Sequence, residues 1–204
     1  MNFWRKLTRF MGVFGRTPRR RKVRALLVGL NNAGKSTLLH RLKADRERNV
    51  SRKPIAPTIG FTTDTFLFNN VKFTVNDMSG RDGYRSMWEP MYAQCDAIVF
   101  VLDSTDQLRF AVVKDELDMM LRHPDVAARP GLPILFVANK AAAPDACSAS
   151  TVAGALALHE RIEPDRPWRL ATTDAAAAPG QPVDDGLREA VEWLVDTINV
   201  TDRR

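Results

Sequence analysis

The segment Gly29-Leu30-Asn31-Asn32-Ala33-Gly34-Lys35-Ser36 decides the fold of this chain. It matches the pattern GxxxxGK[ST] in full, between a short apolar run at 23–28 and a helical pattern at 37–43. A loop of this kind turns successive backbone N–H groups towards an anion, and the following helix adds the positive end of its dipole. The sequence therefore predicts a phosphate-binding loop placed between a strand and a helix.

The residue types in this loop are suited to a nucleoside triphosphate. Lys35 can bridge the β- and γ-phosphates, and the Ser36 hydroxyl can ligate Mg²⁺. The residues expected to surround the phosphates, mainly through their backbone, are Gly29, Leu30, Asn31, Asn32, Ala33, Gly34 and Thr37. By itself this motif leaves ATPases, kinases and GTPases open.

Outward from the loop, the body of the chain alternates strand and helix patterns. Asn69-Asn70 between two alternating apolar runs predicts a hairpin. Continuous apolar runs at 97–102 and 133–138 predict strands that are buried on both faces, and 168–171 predicts the last strand. Helical patterns cover 110–121 and 186–200. We expect an α/β fold: a mostly parallel six-stranded sheet with one antiparallel edge strand, and helices on both faces.

Four further signals follow the loop in an order typical of nucleotide switches. Thr58, in Pro57-Thr58-Ile59-Gly60, precedes the hairpin, where its hydroxyl could reach the same Mg²⁺ ion. Asp77 ends the hairpin and could hold that ion through water, and the Gly80 N–H could meet the γ-phosphate. Asn139-Lys140 follows a buried strand, in a position to meet the base. Each signal is weak alone, but their order and spacing favour a guanine-nucleotide switch.

The charge of the chain is concentrated at its start. Residues 1–24 hold nine of the 30 Lys and Arg residues and no acid, which leaves 21 bases against 24 acids, a charge of −3, for the remainder. In 1–15, apolar residues recur with helical spacing: Phe3, Trp4, Leu7, Phe10, Met11 and Phe14. We expect residues 1–22 to form an amphipathic basic arm that contacts an anionic membrane, and 23–204 to form the nucleotide-binding domain. A charged tail disfavours a nucleic-acid partner, which more often meets a basic folded face.

Six stretches of this sequence resemble the ADP-ribosylation-factor-like small GTPases, and the resemblance covers about residues 23–200. They are GLNNAGKSTLL, PTIGF, FTVNDMSG, YRSMWEPMY, VFVLDSTDQLR and PILFVANK. DMSG, KDELDMMLRHPD and RPWRLATTDA are similar to the ciliary branch of that family, which is linked to the Bardet–Biedl cargo coat. The resemblance implies a GTP/GDP switch that recruits effectors to membranes and depends on an exchange factor and a GAP. It also implies a cytoplasmic protein, peripheral on membranes, at the ciliary base.

The resemblance also assigns roles to individual positions. Ser36 and Thr58 would ligate Mg²⁺, with Asp77 behind them through water. Gly80 would sense the γ-phosphate. Asn139 would contact the purine, Lys140 would pack along its face, and Thr172 would offer a backbone N–H to the base.

Two departures from the family pattern change what we expect of the chemistry. The family reads Asn-Lys-x-Asp where this chain has Ala142 in the last position, so the carboxylate that accepts the guanine N1–H and 2-amino group is missing. Asp145 is nearby but aligns with a later family residue. Arg81 stands where the family has the Gln that orients water, and an arginine has no acceptor. We expect weakened base selectivity and slow GTP hydrolysis.

Smaller departures concern the base loop and the effector surface. Thr172-Thr173 replaces small residues beside the base, and Asn76 and Met91 occupy positions that are usually aromatic. The remaining lone residues are expected to play structural parts: Trp88 and Trp193 as packing groups, and Asp115 and Glu116 as solvated helix charges.

Alternatives remain open for both the arm and the body. The arm could cover a groove on the body, act as a mitochondrial presequence, or carry a nuclear-import patch at 19–22. Asn2 excludes myristoylation of a chain that starts at Met1, whereas Met11-Gly12 would permit it for a start at Met11. The body could be a pseudo-GTPase interaction module without a nucleotide cycle, or an ATP-using P-loop enzyme; the latter ranks last because no residue offers itself as a catalytic base.

Overall fold

The computed structural model describes residues 21–44, 56–176 and 183–201. The amphipathic helix expected within the first 15 residues lies outside these ranges. No helix within them is long and apolar enough to cross a membrane.

Within the described residues, six strands form a single sheet. In chain order they are β1 Lys22–Val28, β2 Phe61–Phe68, β3 Val71–Met78, β4 Ala97–Asp103, β5 Ile134–Asn139 and β6 Trp168–Thr172. Their order across the sheet is β2-β3-β1-β4-β5-β6. Only β2 runs antiparallel, paired with β3 through the hairpin turn, where both Asn69 and Asn70 have positive φ (45° and 64°). Two consecutive residues with left-handed backbone conformations form the tight two-residue turn that matches the twist of the hairpin strands.

Seven α-helices are assigned in the described ranges. They are α1 Lys35–Ala44, α2 Glu89–Tyr92, α3 Phe110–Arg122, α4 Pro124–Ala127, α5 Ala149–Ala155, α6 Leu158–Arg161 and α7 Asp185–Thr201. Short 3₁₀ segments at Asp82–Trp88 and Gln107–Arg109 precede α2 and α3.

The hydrophobic core has two halves, one on each face of the sheet. Successive residues of β1 point to opposite faces, so Ala25 and Leu27 pack with α1 and α7, whereas Leu26 and Val28 pack with α3 and α5. The interior strand β5, between β4 and β6, is buried along its whole length, as its continuous apolar sequence predicts. The expected mostly parallel sheet with helices on both faces is therefore confirmed.

The parallel strands aim their carboxyl ends at one edge of the sheet, and this edge positions the site. The phosphate loop follows β1, Asp77 lies at the end of β3, and Asn139 ends β5. In an open parallel sheet the crevice beyond these ends is the usual ligand site.

Candidate functional site

The phosphate loop is held in shape by glycines that no other residue could replace without strain. Gly29 and Gly34 have φ of 136° and 90°. A Cβ on Gly29 would lie 2.0 Å from the Val101 carbonyl oxygen, and one on Gly34 would lie 2.1 Å from Asn139 Nδ2. The loop is thus packed directly against β4 and β5, which fixes its path around the expected phosphate position.

Lys35 is the first residue of α1, directly after this loop, and is 6% exposed. Its Nζ donates hydrogen bonds to the carbonyl oxygens of Gly29 and Leu30, each at 2.9 Å. Burial lowers the pKa of Lys35 to about 8, partly opposed by the nearby Asp77 carboxylate. A phosphate placed beside it would favour the charged form, so the site is arranged to receive negative charge.

Three oxygen-bearing side chains from separate parts of the chain meet beside Lys35. The Ser36 hydroxyl donates to Asp77 Oδ2, and Ser36 Oγ lies 3.1 Å from Thr58 Oγ1. Burial raises the pKa of Asp77, although the Ser36 hydroxyl and Lys35 oppose this effect. Its second oxygen, Oδ1, is buried without a hydrogen-bond partner in the described part of the chain.

Gly80 closes the phosphate side of the site. Its carbonyl oxygen accepts a hydrogen bond from the Asn31 N–H at 3.0 Å. A Cβ on Gly80 would lie 2.2 Å from the Gly29 carbonyl oxygen and 2.4 Å from Asn31 N. The segment 79–81 therefore rests directly on the phosphate loop, with no room for a side chain at Gly80.

Most of the phosphate-side residues predicted from sequence line one cleft of about 270 Å³. Its lining residues are Asn31, Asn32, Gly34, Lys35, Ser36, Thr37, Ala56, Pro57, Thr58, Met78, Ser79, Gly80 and Arg81. Leu30 and Ala33 are buried behind it. The exposed Arg81 thus lies beside the expected phosphates.

The base side is built differently, because its central residue has an internal structural task. Asn139 is 2% exposed. Its Nδ2 donates to the Ala33 carbonyl oxygen at 2.8 Å, and its Oδ1 accepts from the Ala175 N–H at 2.9 Å. Asn139 thereby ties the phosphate loop to the loop after β6.

Lys140 adopts a left-handed conformation, with φ of 64°, and donates to Asp103 Oδ2 at 2.5 Å. Thr172, at the end of β6, is exposed, while Thr173 is buried and its hydroxyl donates to Asp184. The structure thus brings the ends of β5 and β6 together.

Ala142 lies exposed in the turn after Lys140, and its methyl side chain has no acceptor to present to a base. Most neighbouring carboxylates already accept hydrogen bonds: Asp103 from Lys140 and Thr105, Asp174 from Ala176, and Asp184 from Thr173 and Leu187. Asp145 lines an adjoining cleft with Asn32 and Lys140.

Two arginines at the site were missed by sequence reasoning. Arg109 Nη1 donates to the carbonyl and side-chain oxygens of Asn31, at 3.0 and 3.2 Å. Arg85 Nε donates to the Gly80 carbonyl oxygen at 3.1 Å, and its Nη1 donates to Glu116 at 2.7 Å. The interpretation of Glu116 as a solvated helix charge is therefore wrong: its side chain is 11% exposed because it faces Arg85.

Comparison with known proteins agrees with this geometry. The model of the ADP-ribosylation factor family matches residues 10–198. The chain belongs to this family. It is 41% identical over 198 residues to ADP-ribosylation factor-like protein 6 of Danio rerio, covering 97% of each chain. It is 36% identical over 194 residues to the protein of that name in Caenorhabditis elegans, covering 95% of this chain and 93% of that one.

A solved structure shows the same fold in a relative. It is the Arl6 BBS3 small GTPase from Trypanosoma brucei with the bound nucleotide analogue GppNp. The TM-score is 0.75 at 34% identity, and the match covers 87% of this chain and 98% of that one. The fold predicted from sequence and the family resemblance are both confirmed.

Proposed function

We propose that this chain is a membrane-recruited GTP-binding switch with slow intrinsic hydrolysis. One observation carries the proposal: Ser36, Thr58 and Asp77, from three separate segments, meet beside the buried Lys35. The relative from Trypanosoma brucei, which binds GppNp, has the same fold and supports a guanine nucleotide as the ligand.

The residues at this point fit a magnesium ion. The donors are hydroxyl and carboxylate oxygens, which are the ligands that Mg²⁺ prefers. The buried Asp77 Oδ1 also lacks a hydrogen-bond partner in the described ranges, and a hydrated cation would satisfy it. Ser36 and Thr58 would hold the ion, with Asp77 acting through water. When bound, the ion would neutralise phosphate charge.

Nucleotide binding can be tested with the intact chain. The purified protein is denatured and the released nucleotide identified, and the nucleotide-free protein is then titrated with labelled GTP, GDP and ATP, with and without Mg²⁺. We expect binding of GTP at micromolar concentrations or below, weakened by EDTA and by Ser36→Ala. Absence of GTP binding at micromolar concentrations would contradict the proposal.

Slow hydrolysis follows from the residue beside Gly80. Arg81 lines the phosphate cleft, but a guanidinium has no acceptor with which to orient an attacking water. In single-turnover assays, Arg81→Gln should therefore speed GTP hydrolysis about ten-fold. Arg41→Gln, a substitution of the same type on α1, serves as the control. A hydrolysis rate that is unchanged or lower in Arg81→Gln would show that Arg81 is not the cause of slow hydrolysis.

We further propose that residues 1–22 attach the domain 23–204 to anionic membranes. The support is the apolar stripe and the concentration of basic residues in this arm. Placement at the ciliary base and in protein or vesicle transport rests on similarity to the ciliary branch of the family. Effectors, an exchange factor and a GAP, and a ciliary cargo coat, are the partners that this similarity suggests.

Membrane attachment is tested by co-sedimentation of the full chain with anionic and neutral vesicles. We expect binding to anionic vesicles that falls as salt rises, because the basic residues act through a screened charge interaction. Deleting residues 1–15 should abolish it. Binding that survives the deletion would place the membrane contact elsewhere.

A second candidate is a pseudo-GTPase that binds partners without a nucleotide cycle. The observation in its favour is that the loop's own carbonyl groups already accept hydrogen bonds from Lys35. Ala142 and Arg81 are compatible with it. One guanine nucleotide released per denatured chain would exclude its nucleotide-free form.

A further inference from the structure

Arg85 connects the phosphate cleft to a helix that does not line it. Its Nε donates to the Gly80 carbonyl oxygen at 3.1 Å, and its Nη1 donates to Glu116 Oε1 on α3 at 2.7 Å. The two side chains are 14% and 11% exposed. Since both charges are largely removed from water, the bond is little screened, and loss of either partner would leave a buried charge uncompensated.

The segment reached by Arg85 is held by its carbonyl groups. The Gly80 carbonyl oxygen also accepts from the Asn31 N–H, and the Ser79 carbonyl oxygen accepts from Trp88 Nε1 at 2.9 Å. Two consecutive carbonyl groups are thus fixed by three donors, one from the phosphate loop and two from the 3₁₀ segment Asp82–Trp88. This segment lines the cleft that contains Lys35 and Ser36.

We propose that Arg85 and Glu116 form a positioning pair that holds the segment 79–81 over the phosphate loop and so sets the preference for a nucleoside triphosphate over a diphosphate. The inference rests on the proposed nucleotide binding. A terminal phosphate at this end of the cleft gains contacts with the segment only while the segment is held in place. A diphosphate depends mainly on the phosphate loop itself.

A competing partner for Arg85 is too exposed to replace Glu116. Arg85 Nη1 lies 3.2 Å from Asp82 Oδ1, but the Asp82 side chain is 96% exposed. An ion pair with such an exposed carboxylate contributes little to stability, because water screens it. Glu116 therefore determines where the Arg85 guanidinium lies.

The test compares two substitutions on the same helix. Glu116→Gln removes the negative charge that faces Arg85. Asp118→Asn removes a negative charge that faces Arg161 instead; the Arg161 and Asp118 side chains are 24% and 28% exposed. Dissociation constants for GppNp and GDP are measured for the unmodified chain and for both variants. We expect the preference for GppNp to fall about ten-fold in Glu116→Gln, as for the loss of one buried charge-assisted contact, and to stay unchanged in Asp118→Asn.

Other outcomes would overturn the inference. If Glu116→Gln weakens the binding of GppNp and GDP equally and lowers the melting temperature, the Arg85–Glu116 pair has a structural role only. If Glu116→Gln does not fold, Arg85→Lys provides the same comparison, because lysine keeps the charge but cannot contact Gly80 and Glu116 through one planar fork; an unchanged preference there would equally refute it. Failure of the unmodified chain to bind either nucleotide would refute the proposed function instead.

Discussion

The two sides of the cleft have kept different parts of the nucleotide-binding pattern. On the phosphate side, Lys35, Ser36, Thr58, Asp77 and Gly80 are all present and in contact with one another or with the loop. On the base side, Asn139 and Lys140 remain, but Ala142 offers no side-chain acceptor.

This difference shows that a motif residue can have more than one physical reason to be present. Asn139 braces two loops through its amide, and Lys140 pairs with Asp103, so both stabilise the fold whichever base is bound. In our interpretation, the carboxylate replaced by Ala142 would have served base recognition alone. Its loss therefore leaves the fold intact while the phosphate side remains complete.

The phosphate side of the cleft should tolerate substitutions less well than the base side. Gly80→Ala would force a methyl group to within 2.2 Å of the Gly29 carbonyl oxygen, whereas a Cβ on Gly83 meets nothing within 4 Å. We expect Gly80→Ala to weaken GTP binding about 100-fold, because the segment must move off the loop, and Gly83→Ala to change it less than about two-fold. Equilibrium titration with a fluorescent analogue provides the measurement. Equal effects of the two substitutions would show that this close contact is unimportant.

On the base side, by contrast, a substitution should be able to raise selectivity for guanine. Ala142→Asp would restore a carboxylate that can accept from the guanine N1–H and 2-amino group, and so should raise the preference for GTP over ITP or ATP about ten-fold. Ala143→Asp adds the same charge one residue later and should leave that preference unchanged. Competition binding measures both ratios. A preference that falls in Asp145→Asn would identify Asp145 as a substitute acceptor.

The smallest expected effect concerns protons on the phosphate side. Because burial lowers the pKa of Lys35 to about 8, a growing share of chains carries a neutral Lys35 above that pH. Phosphate favours the charged form, so binding should take up a proton, and affinity should fall about five-fold from pH 8 to 9. Calorimetry at pH 8.5 in buffers of different ionisation enthalpy detects this uptake. Lys35→Arg, which does not titrate there, should show none; buffer-independent heats in the unmodified chain would contradict the assignment.

The sequence predicted the elements whose signals are local. Continuous apolar runs identified β4 and β5, and Asn69-Asn70 identified the hairpin, because strand burial and turn conformation depend on nearby residues. The short helices α2, α4, α5 and α6 were missed. Of these, α5 had a readable signal: Ser148 accepts a hydrogen bond from the Thr151 N–H as its N-terminal cap.

The candidate site was predictable where a motif specifies it and unpredictable where tertiary contacts do. The loop 29–36 identified the phosphate cleft from its pattern alone. Glu116 looked like any exposed helix charge, since its partner Arg85 is 31 positions away in sequence. The bracing role of Asn139 was hidden for the same reason, because Ala33 and Ala175 are distant in the chain.

Trp88 gives this chain an internal optical reporter. Its indole ring is 1% exposed, and its N–H is bonded to the Ser79 carbonyl oxygen, directly beside the segment that closes the cleft. Any ligand that shifts this segment must change the surroundings of the indole, and so its emission. Stopped-flow fluorescence could therefore follow nucleotide exchange in unlabelled protein, with Trp88→Phe identifying the signal among the four tryptophans of the chain.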